Sequence, residues 1–190
     1  KITRDDIENV KYLLKFYGIN YIVSPSEADE LCAALVIKGY AYACLSEDTD
    51  MFAFGCPRIL KYISLIKHTA VLYPIGNILN KLNIKFNDFQ KLCILSGTDY
   101  NFTKKNIFWF YNHYKKYNRT NTDMEFMKWL EFKKYISIQT YYELKDVYRI
   151  YNKNPSDILQ QISYLNIKNK KINKNGIKSV LEKENFIFAY

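Results

Sequence analysis

Cysteine pairs, clustered histidines and long apolar runs are all missing from this sequence of 190 residues. Its four cysteines and two histidines are not spaced as zinc ligands are, so a zinc site is not expected. The cysteines are predicted to be reduced core residues of an intracellular protein. No apolar run is long enough to cross a membrane, and no signal peptide is present. The sequence also begins without a methionine, which indicates a piece of a larger protein.

Positive charge is concentrated in the second half of the sequence. Residues 1–100 contain 11 Lys/Arg and 11 Asp/Glu, whereas residues 101–190 contain 17 and 8, so the whole net charge of +9 lies after residue 100. Such a surface can be a solvated face, or it can neutralise a polyanion such as nucleic acid. Charge alone does not decide between these two interpretations.

The spacing of apolar residues predicts an α/β first half and a helical second half. Helices are expected to start at Thr3 and Ser26, and the alternation of helices with strands predicts βαβ wiring and a parallel sheet. The expected strands are 21–23, 40–45, 58–64 and 69–73, the last two paired as a hairpin. Further helices are expected at 75–83, 87–96 with Asn87 as its cap, 104–117, 124–135, 139–152, 155–164 and after the turn Asn175-Gly176, with a mobile loop at 166–175.

Three short acidic motifs lie at the ends of predicted elements: Ser-Glu-Ala-Asp at 26–29, Glu-Asp-Thr-Asp at 47–50 and Gly-Thr-Asp-Tyr at 97–100. In a parallel sheet, helix starts and the carboxyl ends of strands meet at one edge, so their carboxylates are expected to converge. These carboxylates are Glu27, Asp29, Asp48, Asp50 and Asp99. Oxygen ligands without His or Cys suit Mg²⁺ or Mn²⁺, and two such ions about 4 Å apart can support phosphodiester hydrolysis.

Each acidic motif also has a purely structural interpretation. Ser26 with Asp29 fits a capping box, the 47–50 motif fits a solvated turn, and Asp99 fits a cap or turn residue. Only the order and spacing of the three motifs within one chain favour a shared metal site.

Taken together, the three motifs resemble those of the flap endonuclease family, also called the XPG or exonuclease-1-like family. The similar segments are Ser24–Leu35, Ser46–Gly55 and Leu92–Tyr100. The resemblance implies a PIN-like α/β core with a parallel sheet, incomplete at its N-terminus and followed by an all-helical region. Residues 1–100 would be the metal-binding part of that core. Residues 101–190 would be a basic helical region with a reduced helix-hairpin element for binding DNA.

The function implied by this resemblance is structure-specific cleavage of DNA at 5′ flaps, ends or junctions, in replication, recombination or repair. Glu27, Asp29, Asp48, Asp50 and Asp99 would act as catalytic ligands of two Mg²⁺ or Mn²⁺ ions. Replication or repair proteins are possible partners. Two alternatives remain open, a catalytically weak or inactive module that binds DNA junctions, and a relative that acts on RNA.

Two departures from the family pattern limit what this chain is expected to do. The N-terminal part of the family core, with two further aspartates and a basic helix, is absent, so this piece alone is expected to be inactive or nearly so. The glycine hairpin that follows Tyr100 in the family, and holds a potassium ion, is replaced here by residues 101–106. The potassium site is therefore in doubt, and duplex binding would depend on Thr103, Lys104 and Lys105 at a helix start.

The bias towards Tyr, Asn and Ile and the reduced hairpin also resemble the flap-endonuclease-like proteins of large DNA viruses, poxviruses in particular. Such an origin would place the protein in the host cytoplasm at the site of viral replication, and any other origin in the nucleus. The aromatic residues of 107–117 are expected to be mostly core, with base stacking as the alternative.

Binding of the chain to flap DNA is expected to weaken steeply with salt, because lysines and arginines displace counterions from phosphates. The slope of log K against log salt concentration should be about −0.9 for each phosphate that is neutralised. Fluorescence anisotropy of labelled DNA over a salt series measures this slope. A slope near zero would contradict the hypothesis that basic residues of 101–190 bind DNA phosphates.

Overall fold

Helices dominate the computed structural model, which describes residues 2–162 and 171–187. The helices are Arg4–Phe16 (α1), Ala28–Ile37 (α2), Asp50–Ala53 (α3), Ile75–Leu82 (α4), Phe86–Leu95 (α5), Ile107–Tyr117 (α6), Phe126–Phe132 (α7), Ile138–Tyr151 (α8), Pro155–Gln160 (α9) and Lys174–Lys183 (α10). The strands are Cys44–Leu45 (β1), Arg58–Ser64 (β2) and Thr69–Pro74 (β3). The chain divides into two units, residues 25–161 and a smaller unit drawn from both ends of the chain.

The smaller unit pairs α1 with α10. The predicted cap of α1 is confirmed, since Thr3 Oγ1 accepts a hydrogen bond from the backbone N–H of Asp6 and the Asp6 carboxylate accepts one from the backbone N–H of Thr3. The backbone N–H of Asn173 donates to the carbonyl of Phe16 at 2.7 Å. A Cβ atom at Gly176 would lie 2.5 Å from the Phe16 ring, so only glycine permits this close approach of the two helices.

The larger unit contains a small mixed sheet in the order β1-β2-β3. β1 pairs parallel to β2, with Cys44 opposite Ile59, and β2 pairs antiparallel to β3 as the predicted hairpin. A first apolar core lies between the sheet and the helices α2 and α3. Its buried members are Ala33, Val36, Cys44, Met51, Cys56 and Ile59.

A second, larger core is built by the helices on both sides of residue 100. The inward faces of α5, α6, α7 and α8 pack together, and the buried members include Leu92, Ile94, Phe110, Tyr114, Phe126, Trp129, Leu130, Leu144 and Tyr151. The prediction that the aromatic residues of α6 are mostly core holds for Phe110 and Tyr114, whereas Phe108 is 73% exposed. Among the described residues, no helix combines the length and apolar character needed to cross a membrane.

Two of the predicted strands are wrong or too long. Residues 21–23 are irregular and exposed, and in the run 40–45 only Cys44–Leu45 forms a strand, while Tyr40 and Tyr42 face solvent. An apolar run becomes a strand only when another strand supplies its hydrogen-bond partners, and the described part of the chain gives β1 one neighbour, β2. The predicted βαβ unit around α2 is therefore absent, although the parallel pairing of β1 and β2 is present.

Several helix boundaries also differ from those predicted. The cap of α5 is Lys85 rather than Asn87, whose side chain instead accepts a hydrogen bond from the Tyr148 hydroxyl at 2.6 Å. The turn expected at Asn175-Gly176 lies inside α10, whose cap is Asn173. Residues 163–164 of the predicted helix 155–164 and residues 166–170 of the predicted loop lie outside the described residues.

Replacing the buried Leu130 with Ala is expected to lower the free energy of unfolding by about 2–5 kcal/mol, because it leaves a cavity in the helical core. Leu65→Ala is the matched control, since Leu65 is 80% exposed, and its effect should stay within about 0.5 kcal/mol. Urea unfolding followed by fluorescence reports on this core, because both tryptophans of the chain, Trp109 and Trp129, lie in it. Equal losses in the two variants would contradict the assignment of the core.

Candidate active site

The five carboxylates singled out in the sequence come from three places in the larger unit. Glu27 is the N-cap residue of α2 and Asp29 lies in its first turn, so Ser26 is not the cap; its hydroxyl instead donates to Glu30 at 3.3 Å. Asp48 lies in the loop between β1 and α3, and Asp50 is the first residue of α3. Asp99 lies in the turn that follows α5.

The loop that carries Asp48 is held by hydrogen bonds between its own residues. Ser46 Oγ accepts from the backbone N–H of Asp48 at 3.0 Å, and Asp48 Oδ1 accepts from the backbone N–H of Asp50 at 2.8 Å. The carboxylate of Glu47 turns towards β2, where it accepts from the backbone N–H of Tyr62. Asp48 and Asp50 thus follow β1, and a tight loop and the start of α3 set their positions.

Asp50 and Asp99 are joined directly. The backbone N–H of Asp99 donates to Asp50 Oδ2 at 3.2 Å. Asp99 reaches this position because Gly97, with φ +101°, ends α5 and because Thr98 and Asn101 exchange backbone hydrogen bonds of 3.1 and 3.2 Å across a tight turn. The Asn101 side chain fastens the turn to α5 by donating to the carbonyl of Ile94 at 2.8 Å.

Electrostatics place all five carboxylates in one region. Burial raises the pKa of Asp29 above its ordinary value, and neighbouring negative charges raise it further. In decreasing order of effect, these charges belong to Asp48, Glu27, Asp50 and Asp99. Because each of the other four acids acts on Asp29, the three acidic motifs lie on the same side of the larger unit.

Asp50 is the most buried of the five acids, since it is only 7% exposed. Burial raises the pKa of its carboxyl group. The Tyr151 hydroxyl and the Asp99 N–H, which both donate to it, lower that pKa, and the charges of Asp48 and Asp99 raise it. Protein groups thus stabilise the Asp50 carboxylate by donating hydrogen bonds to Oδ2.

An open cleft of about 360 Å³ lies over three of these acids, Asp48, Asp50 and Asp99. Its walls come from the 48–50 loop, the end of α5 and the turn after it, and it is lined by Asp48, Thr49, Asp50, Ser96, Gly97, Thr98, Asp99, Asn101, Phe102 and Thr103. Within residues 2–162 and 171–187, no three His, Cys, Asp or Glu side chains stand in an arrangement that would already hold a metal ion. Asp48, Asp50 and Asp99 therefore share a cleft without forming a closed cage.

The chemistry of the donors nevertheless fits a divalent cation. All five side chains offer carboxylate oxygens, which hard ions such as Mg²⁺ and Mn²⁺ prefer. None of the ion pairs among the described residues involves Asp29, Asp48, Asp50 or Asp99, so no lysine or arginine already offsets their charge. A bound cation would relieve the repulsion that raises the pKa of Asp29.

The residues predicted to bind DNA lie just before α6. Thr103 lines the cleft, and its hydroxyl accepts from the backbone N–H of Lys105 at 3.1 Å. Lys104 and Lys105 are exposed, and the Lys105 ammonium lies 5.1 Å from the centre of the Trp109 ring. The helix starts at Ile107 rather than at residue 104, with Asn106 as its cap. The three residues therefore precede the helix instead of forming its first turn.

Sequence reasoning missed two side chains that support the acids, Tyr151 and Asn101. Asn101 follows the third acidic motif directly, shortly after the glycine that ends a predicted helix. Asparagine is common in turns, so the sequence could have predicted a turn there. Tyr151 lies 101 residues from its partner Asp50, and no local pattern could have revealed that contact.

The sequence of this chain is similar to those of known proteins. Residues 18–99, which contain all five acids, match the family model described as XPG I-region. The resemblance to the flap endonuclease family is confirmed. Flap endonuclease 1 of Methanococcus aeolicus is 33% identical over 186 residues, which are 94% of this chain and 50% of the relative. The chain thus spans half the length of this relative.

Solved structures agree with the predicted fold class. The catalytic core of Rad2 in complex with DNA substrate has a TM-score of 0.68 at 23% identity, covering 96% of this chain and 66% of that one. The Holliday junction-resolving enzyme GEN1 in complex with product DNA and a Mg²⁺ ion has a TM-score of 0.67 at 18% identity, covering 96% and 51%. A PIN-like α/β core followed by helices is therefore the fold of this chain.

Charge repulsion around Asp29 should make the metal-free chain less stable as pH rises. The pKa of Asp29 is raised in the folded chain, so the unfolded chain loses this proton first, and stability falls from the ordinary value of 3.8 upward through the raised value. Asp29→Asn is expected to be more stable than the wild type at about pH 7 and to show a flatter profile from about pH 4. Urea unfolding in EDTA at a series of pH values measures this.

Asp123→Asn is the matched control for this substitution, because Asp123 is exposed and lies outside the acid cleft. It should leave the slope of stability against pH unchanged. A profile for Asp29→Asn as steep as that of the wild type would contradict the proximity of the acids.

Proposed function

We propose that this chain is the metal-binding and DNA-binding part of a structure-specific DNA nuclease that cleaves near 5′ flaps, ends or junctions. The observation that carries the proposal is the cleft lined by Asp48, Asp50 and Asp99, whose charges, with that of Glu27, raise the pKa of Asp29. The XPG I-region match, the similarity to a flap endonuclease 1 and the likeness to DNA-bound Rad2 and GEN1 support the same reaction class.

Glu27, Asp29, Asp48, Asp50 and Asp99 are the proposed ligands, in a site for two Mg²⁺ or Mn²⁺ ions. When bound, such ions supply an activated water and stabilise the leaving oxygen of the phosphodiester. The chain itself holds Asp50 in place through the Asp99 N–H and presents Asp48 from a hydrogen-bonded loop.

The DNA backbone is proposed to lie across the cleft towards α6. Thr103 lines the cleft and Lys104 and Lys105 are exposed beside it, so phosphates next to the scissile bond would meet a hydroxyl and two ammonium groups. The pairing of an acidic cleft with a basic rim lets metal ions and cationic side chains share the charge of one phosphate backbone.

A second candidate function is a module that binds DNA junctions without efficient cleavage. The observation that favours it is the turn after Asp99, in which Thr98 and Asn101 close directly on each other and residues 101–106 contain no glycine. Such a turn offers fewer backbone amides to phosphates than a glycine hairpin does. The presence of all five carboxylates favours the nuclease over the module, because a bound cation would offset the repulsion among them.

Cleavage of labelled 5′-flap DNA is expected to require Mg²⁺ or Mn²⁺ and to stop in EDTA. The assay is run on this chain and on the product of the longest open reading frame that contains it. Asp48→Asn should lower the cleavage rate by about a hundredfold or more while DNA binding is kept, because an amide is a poor ligand for a hard cation. Asp123→Asn should cut at the wild-type rate.

Gel-resolved products and anisotropy, measured on the same samples, separate cleavage from binding. Tight binding without cleavage in any form would favour the junction-binding module. Cleavage that persists in EDTA, or in Asp48→Asn, would rule out the proposed metal site, and cleavage of RNA flaps but not DNA flaps would change the substrate.

A further inference from the structure

Tyr151 connects the helical region to the acid cleft. It is the last residue of α8, it is only 4% exposed, and its hydroxyl donates a hydrogen bond to Asp50 Oδ2. The two residues are 101 positions apart in the sequence. The second half of the chain therefore contributes a side chain to the acidic site that the first half builds.

The position of this hydroxyl is fixed from both ends of the residue. The Tyr151 ring lies between Phe54, with ring centres 4.6 Å apart, and Tyr100, with ring centres 5.7 Å apart in an edge-to-face arrangement. Its backbone carbonyl accepts a hydrogen bond from the buried side chain of Gln90 at 3.1 Å. The same Gln90 amide donates to the carbonyl of Ala53 at 2.8 Å, at the end of the helix that Asp50 begins.

Both hydrogen bonds that the described residues donate to the Asp50 carboxylate end on the same oxygen. Oδ2 accepts from the Tyr151 hydroxyl and from the Asp99 backbone N–H. Two donors on one oxygen set the rotation of the carboxylate group, and they leave Oδ1 with its lone pairs available for a cation.

A tyrosine suits this position better than a charged residue or a phenylalanine. An arginine or lysine would orient Asp50 equally well, but its charge would cancel part of the negative charge that attracts a cation. A phenylalanine would fill the same space between Phe54 and Tyr100 but would leave the buried Oδ2 with a single donor. The hydroxyl orients the carboxylate and leaves its charge intact.

We propose that Tyr151 is a positioning residue of the metal site, which holds Asp50 so that Oδ1 faces the ion. The inference rests on the proposed function only in its assignment of Asp50 as a metal ligand. Partners that orient the ligands of a metal typically change its affinity by about 10–100-fold when they are removed.

Tyr151→Phe tests this role, with Tyr114→Phe as its matched control. Tyr114 is also buried and donates its hydroxyl to an aspartate oxygen, Asp88 Oδ2 at 2.8 Å, but Asp88 lies on α5 away from the acid cleft. Both variants lose one buried hydroxyl donated to a carboxylate. Thermal unfolding of the metal-free proteins should therefore show similar, modest losses of stability.

Binding of Mn²⁺ separates the two variants, because only one of them loses an interaction with a proposed ligand. Titration followed by the electron paramagnetic resonance of free Mn²⁺ should give a Kd on the order of tenfold higher for Tyr151→Phe than for the wild type. Tyr114→Phe should bind Mn²⁺ as the wild type does. Equal Kd values for the two variants would overturn the proposal.

The shift of the thermal midpoint on adding Mn²⁺ gives a second measure of the same affinity, which remains usable in a destabilised variant. A smaller shift for Tyr151→Phe than for Tyr114→Phe supports the proposal, and equal shifts contradict it. A longer protein containing this chain that binds Mn²⁺ but leaves flap DNA uncut would contradict the proposed nuclease and leave the role of Tyr151 unaffected. Wild-type chain that binds no Mn²⁺ would overturn both.

Discussion

Repulsion between carboxylates is the constraint around which the larger unit of this chain is organised. Asp29 lies close enough to four other acids for each of them to raise its pKa. Such an arrangement survives in the absence of ions only if the surrounding backbone is rigid, because each side chain gains by turning away. Helix α2, the hydrogen-bonded 46–50 loop and the turn after α5 supply that rigidity, and the loop and the turn join at Asp50.

The helical core extends this constraint beyond residue 100. α5 lies before that position and α6, α7 and α8 lie after it, yet their side chains form one continuous core. The division of the sequence into a neutral first half and a basic second half is therefore a division of charge and not of packing. Asp99 follows a helix of this core and Tyr151 ends another, so the geometry of the acid cleft depends on both halves being folded.

Structural features that depend on residues close together in the sequence are predicted well. The hairpin of β2 and β3, the cap at Thr3 and the helix end at Gly97 follow from local patterns, and the structure confirms them. The strand expected at 21–23 failed because a strand depends on a partner elsewhere in the chain, which no local pattern contains. The caps expected at Ser26 and Asn87 failed because each side chain found another partner, Glu30 and Tyr148 respectively.

The same distinction applies to the candidate site. Spacing and order were enough to select Asp29 and the four acids whose charges act on it. Tyr151 was not predicted as a site residue because its partner Asp50 is 101 residues away in the sequence. Whether the five acids bind metal stays a prediction, since proximity of carboxylates is a condition for such a site and not a demonstration of it.

The anchoring of the turn at residues 98–101 bears on how such a protein can diversify. Because Asn101 ties this turn back to Ile94, the position of Asp99 is set by the helix before it and not by the segment that follows. Residues 102–106 can then change length or composition at little energetic cost, since lengthening a surface loop adds only about 0.6 kcal/mol for each doubling. Substitutions in that segment can thus reshape the rim of the cleft at Phe102 and Thr103 while Asp99 keeps its position.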